Sequence, residues 1–331
     1  MRALVVSLVI APLLLAQVPR VAVVDFYGVR QVSLDRLRRA VGVREGDRLP
    51  ASKPDIEDRL ERIPGVVLAR VEAVCCEGDR AILYVGIEER DAPHFGFHAP
   101  PQGDAVLPND LVETYQGFLG ALEQAARVGD TAQNVSQGHE LAANLGVLAF
   151  QVRFPALAEA NLDLLRRVVR QSANPEHRAI AAYLLGYAPV KLLVVGDVQY
   201  AMQDSDEGVR ANAMRALTAM ATLGARDPEL GIRVQPTWFI EMLNSVVWSD
   251  RYRAAQALVL LTEDRPAAAL DQLRERALRA LVEMARWKTP EHALPSFLLV
   301  GRLAGLPEAE IHGAWTRGER ERVIRRATGA K

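Results

Sequence analysis

One short phrase recurs in the second half of this chain. Arg178–Leu185 reads RAIAAYLL, Arg210–Leu217 reads RANAMRAL and Arg253–Leu258 reads RAAQAL. A weaker copy, HALPSFLL, begins at His292. The copies start 32, 43 and 39 residues apart, a period that belongs to two-helix repeats. Alanines three or four positions apart let helices approach closely, so the phrase specifies helices packed on helices. From Pro108 onward the rest of the chain agrees. Leu111, Tyr115, Phe118, Leu119 and Leu122 fall on one face of a helix over 111–127, and further helices are expected over 139–153 and 157–171.

The second copy is the most informative. Asp204-Ser205-Asp206-Glu207-Gly208-Val209-Arg210, followed by Ala213, Ala216 and Leu217, resembles the second helix of a HEAT repeat. Asp204 or Asp206 is placed to cap that helix, and Arg210 to meet carboxylates or carbonyls within the stack. Arg178 and Arg253 are expected in the equivalent place. The resemblance covers about residues 155–311 and fades at both ends, and it implies an all-α, HEAT-like (armadillo-like) solenoid.

The first third reads differently. Val21–Tyr27 is a β-rich run, Ser33 precedes a helix ended by Gly42, and Pro54 opens a second helix with Ile56, Leu60 and Ile63 on one face. Val67–Cys75 and Ala81–Ile87 are β-rich, with Glu77-Gly78-Asp79 as the connection between them. The order is β-α-α-β-β. With Gly28, Gly46-Asp47, Ile63-Pro64-Gly65-Val66 and the terminal strand Ile82–Glu89, residues 21–90 resemble a POTRA domain. That resemblance implies an α+β module of the cell envelope that docks partners, often by adding a strand to a sheet edge. No alternating segments of a membrane barrel follow, so a role in barrel insertion does not carry over. The whole chain is then expected to be mostly α: a POTRA-like module over 21–90, a Pro- and Gly-rich connector over 91–107, and helices over 108–331.

Residues 1–16 read as a secretory signal peptide. Arg2 gives a short basic start, and Leu4–Ala16 is a 13-residue apolar run, too short to span a bilayer comfortably. The expectation is a periplasmic or exported protein; the alternative is an inner-membrane anchor through residues 4–16. Cys75 and Cys76 are adjacent on a strand, one inward and one outward, and read as two small apolar residues rather than a redox pair. His94 and His98 flank Phe95-Gly96-Phe97 in the connector, and the Gly and Pro content there argues against a helical metal pair.

Catalytic signatures are lacking. The sequence holds no phosphate loop, no GxSxG and no HExxH, and two cysteines cannot make a four-Cys zinc site. No cofactor or metal is implied. The formal net charge of -1 argues against a nucleic-acid partner. That figure hides seven acidic residues against one basic over 91–150, and a basic end, Arg317–Lys331, that could touch anionic lipid. One candidate partner surface stands out: Trp238, Glu241, Ser245 and Trp248 recur on the polar side of a helix expected over 237–248. The leading expectation is a non-catalytic scaffold or adaptor for envelope proteins. The alternative is an enzyme, for example a lyase, with its site in the concave face of the repeats.

Overall fold

The computed structural model describes residues 19–77, 80–93 and 95–329, and of residues 75–77 the backbone alone. The expected leader, the hairpin tip Gly78-Asp79, His94 and the side chains of Cys75 and Cys76 lie outside the described residues. Helix takes 57% and strand 11%, so the molecule is mostly α with a small N-terminal sheet.

The first elements are β1 (Val21–Tyr27), α1 (Leu34–Val41), α2 (Lys53–Glu61), β2 (Val66–Glu77) and β3 (Arg80–Glu89), in the order the sequence implied. Gly42 ends α1 in the left-handed conformation, its N–H donating to the Arg38 carbonyl. Ser52 caps α2 by accepting from the Asp55 N–H. Ser33 stands at the start of α1 but makes no side-chain cap. The sheet order is β1-β3-β2, with β1 parallel and β2 antiparallel to the central β3. One sheet face packs on α1 and α2 through Val21, Leu37, Ile56, Leu60, Val71, Leu83 and Val85.

The helical part starts with α3 (Asn109–Arg127), a short hairpin of β4 (Gln133–Asn134) and β5 (Leu141–Ala142), and α4 (Leu145–Gln151) and α5 (Phe154–Ala160). Helix pairs follow: α6 (Leu162–Gln171) with α7 (Pro175–Leu185), α8 (Val195–Ala201) with α9 (Glu207–Arg226), and α10 (Thr237–Met242) with α11 (Trp248–Leu261). Then come α12 (Ala267–Arg276), α13 (Leu278–Ala285), α14 (Pro290–Leu303), α15 (Glu308–Thr316) and α16 (Arg320–Thr328). The second helices pack in series, α7 on α9, α9 on α11 and α11 on α14, and the alanines of the recurring phrase, among them Ala181, Ala213, Ala254 and Ala293, are fully buried.

Three local expectations are corrected. Leu119 is exposed, and the inner face of α3 is Leu111, Tyr115 and Phe118. Residues 139–142 belong to the hairpin, so the helix expected over 139–153 starts only at Leu145, where Asn144 caps it. The helix expected over 157–171 is two helices that meet at Asn161.

The sheet and the helices are not separate bodies joined by a spacer. The second sheet face, with Ala22, Val23, Tyr27, Ile82 and Tyr84, belongs to the same core as the helices. Tyr84 stacks on Trp248 at 5.1 Å, lies 4.9 Å from Trp287, and its hydroxyl is 2.8 Å from His292 Nδ1. Tyr27 donates to the Val246 carbonyl at 2.7 Å. The connector then runs back along the helices toward α6. Phe95 meets Trp238, the His98 N–H donates to the Gln203 carbonyl, Gly103 exchanges hydrogen bonds with Gln171 and Ala173, and the Leu107 N–H donates to His177 Nδ1.

Candidate functional site

The recurring arginines form an internal ladder. Arg178, Arg210 and Arg251 each lie four residues past a helix N-cap and turn back to donate to the carbonyl two residues before it: Ser172, Asp204 and Ser245. Each also meets a carboxylate further along the chain. Arg178 holds Asp204 bidentately at 2.7 and 2.8 Å, Arg210 holds Asp250 at 2.8 Å, and Arg251 lies 3.5 Å from Glu283. Asp206 is the cap of α9, accepting from the Val209 N–H, while Asp204 belongs to the ladder. The connector covers this line, with Phe97 lying 4.2 Å under the Arg210 guanidinium.

Arg253 is not a rung. The chain breaks between α10 and α11, so α11 begins at Trp248 and the fourth position past its cap is Arg251. In α14, which packs next in the series, the same position is Ala293, one residue beyond His292.

That break also removes the expected partner patch. Trp238 lies on α10 and Trp248 starts α11, so they do not share a helix face. Trp248 is buried between Tyr84 and Tyr252. Ser245 is buried and donates to Asp250, Glu241 pairs with Arg276 at 2.8 Å, and half-buried Trp238 sits against Phe95. The four residues are fixed in internal contacts. The basic end is similarly engaged: Glu321 takes Arg286 bidentately, Glu319 takes Arg317 and Arg322, and Arg320 stacks over Trp315.

The two edges of the sheet differ. Along β2, the Ala69 and Val71 N–H groups donate to Glu61 and Glu57 of α2, so carboxylates occupy donors a pairing strand would need. On the β1 side, residues 46–49 pair with Val21 and with Pro19 and Arg20 just before the strand, and with no later residue of β1 among the described residues. Beyond it, Val24 and Phe26 open onto a groove of about 700 Å³ between β1 and α1. Its rim carries Arg38, Arg39, Arg44 and Lys288 against Asp35 and Glu45. Lys288 bridges the groove to Glu45 at 2.5 Å, and its N–H donates to Asp25, whose carboxyl is held above the usual range by burial. No motif flagged this groove; the strand order that leaves β1 outermost does.

A polar cluster lies deeper in the helices. Tyr183 and Tyr187 share a 2.9 Å hydrogen bond, and burial raises both hydroxyls. Lys191 is buried, donates to the Gly186 carbonyl at 2.6 Å, and burial brings it down to about 8. His139 lies 3.4 Å away, lowered to about 4 by burial and by that lysine. Among the described residues no three His, Cys, Asp or Glu side chains are grouped to hold a metal ion, and no helix is long and apolar enough to cross a membrane. Compared with protein-family models and with curated proteins, the chain matches none.

Proposed function

We propose that this protein is a non-catalytic interaction module of the cell envelope that captures an extended, acidic peptide segment of a partner by adding it as a strand beside β1. The observation that carries the reading is the asymmetry of the sheet edges: β2 is capped by Glu57 and Glu61, while β1 faces a groove with an apolar floor and a basic rim. Main-chain hydrogen bonds to β1 would supply affinity, and Arg38, Arg39 and Arg44 would favour carboxylates on the incoming strand. The POTRA-like order of the N-terminal elements and the HEAT-like pairing of the helices support a binding role, and the leader-like first residues support an envelope location.

The test is a photo-crosslinker at Val43, on the groove rim, in cells producing the full chain. The native chain is expected to crosslink a discrete partner at an extended acidic segment. Reversing the rim with Arg38→Glu and Arg39→Glu is expected to abolish that product while helical circular dichroism stays unchanged. Equal crosslinking by the reversed, folded chain would sink the proposal.

A further inference from the structure

Arg253, displaced from the ladder, faces a second arginine across the seam between α9 and α11. Arg215 comes from α9 and Arg253 from α11, and both line a cavity of about 110 Å³ together with Val135 and Glu140 of the hairpin segment and Gln256 of α11. The Nε groups of both arginines are buried with no hydrogen-bond partner. Each ladder arginine has a carboxylate; Arg253 makes no hydrogen bond and no ion pair among the described residues. Glu140 approaches Arg215 only to 3.9 Å, and the other carboxylate whose charge reaches Arg253, Asp250, is already held by Arg210. Burial and the neighbouring Arg215 charge pull Arg253 down to about 10.

Buried, unpaired N–H groups on charged side chains are costly, and two like charges at one cavity add to that cost. A bound anion removes both penalties together, because guanidinium groups present parallel N–H donors to oxyanions. The space is well below the roughly 300–1,000 Å³ of sites for drug-sized ligands, which excludes a nucleotide and suits a small oxyanion.

We propose that the cavity between α9 and α11 is a binding site for a compact oxyanion of inorganic-phosphate size, held by Arg215 and Arg253. Because this site lies in the helices, it stands independently of the groove beside β1.

The test titrates the full chain, in buffer free of other oxyanions, with inorganic phosphate and separately with acetate, by calorimetry and thermal unfolding. Saturable binding is expected, with a melting temperature that rises with ligand concentration. Phosphate alone, or acetate alone, would identify the oxyanion as a phosphate or a carboxylate. Arg253→Gln is expected to weaken binding by about tenfold or more, whereas Arg36→Gln, on exposed α1, leaves it unchanged. Without ligand, Arg253→Gln should melt no lower than the native chain, since it removes an uncompensated buried charge. Arg215→Gln repeats the measurement should the first variant not fold. No saturable binding of either anion, or undiminished affinity in a folded variant, would overturn the proposal.

Discussion

Arg210 shows what the recurring phrase is for. Its guanidinium satisfies the carbonyls of Asp204 and Ser205, pairs with Asp250 on the next helix pair, and carries Phe97 of the connector on its face. Three separate segments are thus tied to one side chain. Asp250 is fully buried and, among the described residues, keeps only the Ser245 hydroxyl if Arg210 is lost. Arg210→Ala should therefore cost about 3–5 kcal/mol in urea unfolding, the penalty of stranding a buried charge. Asp250→Ala strands Arg210 in the same way. The double variant should cost clearly less than the two singles together, because neither charge then remains unpaired. Additive losses would mean that the pair does not act as a unit.

The register of the elements was legible in the N-terminal module because most boundaries there carry their own chemistry: Gly42 as a left-handed cap, Pro54 in the first turn of α2, and turns rich in Gly and Asp; the Ser52 cap was missed, and Ser33 makes none. It was less legible in the helices. Sequence spacing aligned Arg253 with Arg178 and Arg210, because the alanines after it fit, and the local mark of the break between Met242 and Trp248 is slight: Asn244-Ser245, whose Ser245 hydroxyl accepts the Val247 N–H. The apolar stripe continues through that break, and tertiary packing ends the helix. Strand β3 carried a signal that alternation misses: Ile82, Leu83, Tyr84 and Val85 are consecutive and all buried, as in a strand covered on both faces. Gly86 lies within this buried run, where a Cβ would collide with the Val246 carbonyl and the Tyr27 ring. Gly86→Ala should destabilise the chain by about 1–3 kcal/mol through overpacking. It should also speed proteolysis at the start of the connector, which follows directly from β3. Proteolysis and melting unchanged from the native chain would show that the sheet can shift without cost.

At the scale of the whole molecule, the seam between sheet and helices decides how the candidate groove is presented, and that seam is titratable. Glu72 of β2 accepts the Trp248 N–H at 2.6 Å, and burial lifts its carboxyl to about 7. A carboxyl raised on folding contributes its full stability below its unfolded value, near 4.5, and loses it as pH climbs through 7. Across the same seam His292 is lowered by burial, so its contribution is present above its ordinary value and fades as the solution turns acid. Asp25, also raised by burial, follows the direction of Glu72. Histidine and carboxyls therefore oppose one another on the acid side, while above neutrality the loss from ionising Glu72 stands without the histidine. Glu72→Gln keeps an acceptor for the Trp248 N–H and removes the charge. It should stabilise the protein at pH 8 by on the order of 2 kcal/mol more than at pH 5, measured by urea unfolding at the two values. An equal effect at both would place the ionisation of Glu72 outside the energetics of the seam. Because β1 belongs to the sheet that Glu72 helps seat, crosslinking at Val43 should weaken in the native chain between pH 6.5 and 8 and hold steadier in Glu72→Gln, which links the seam to the groove it positions.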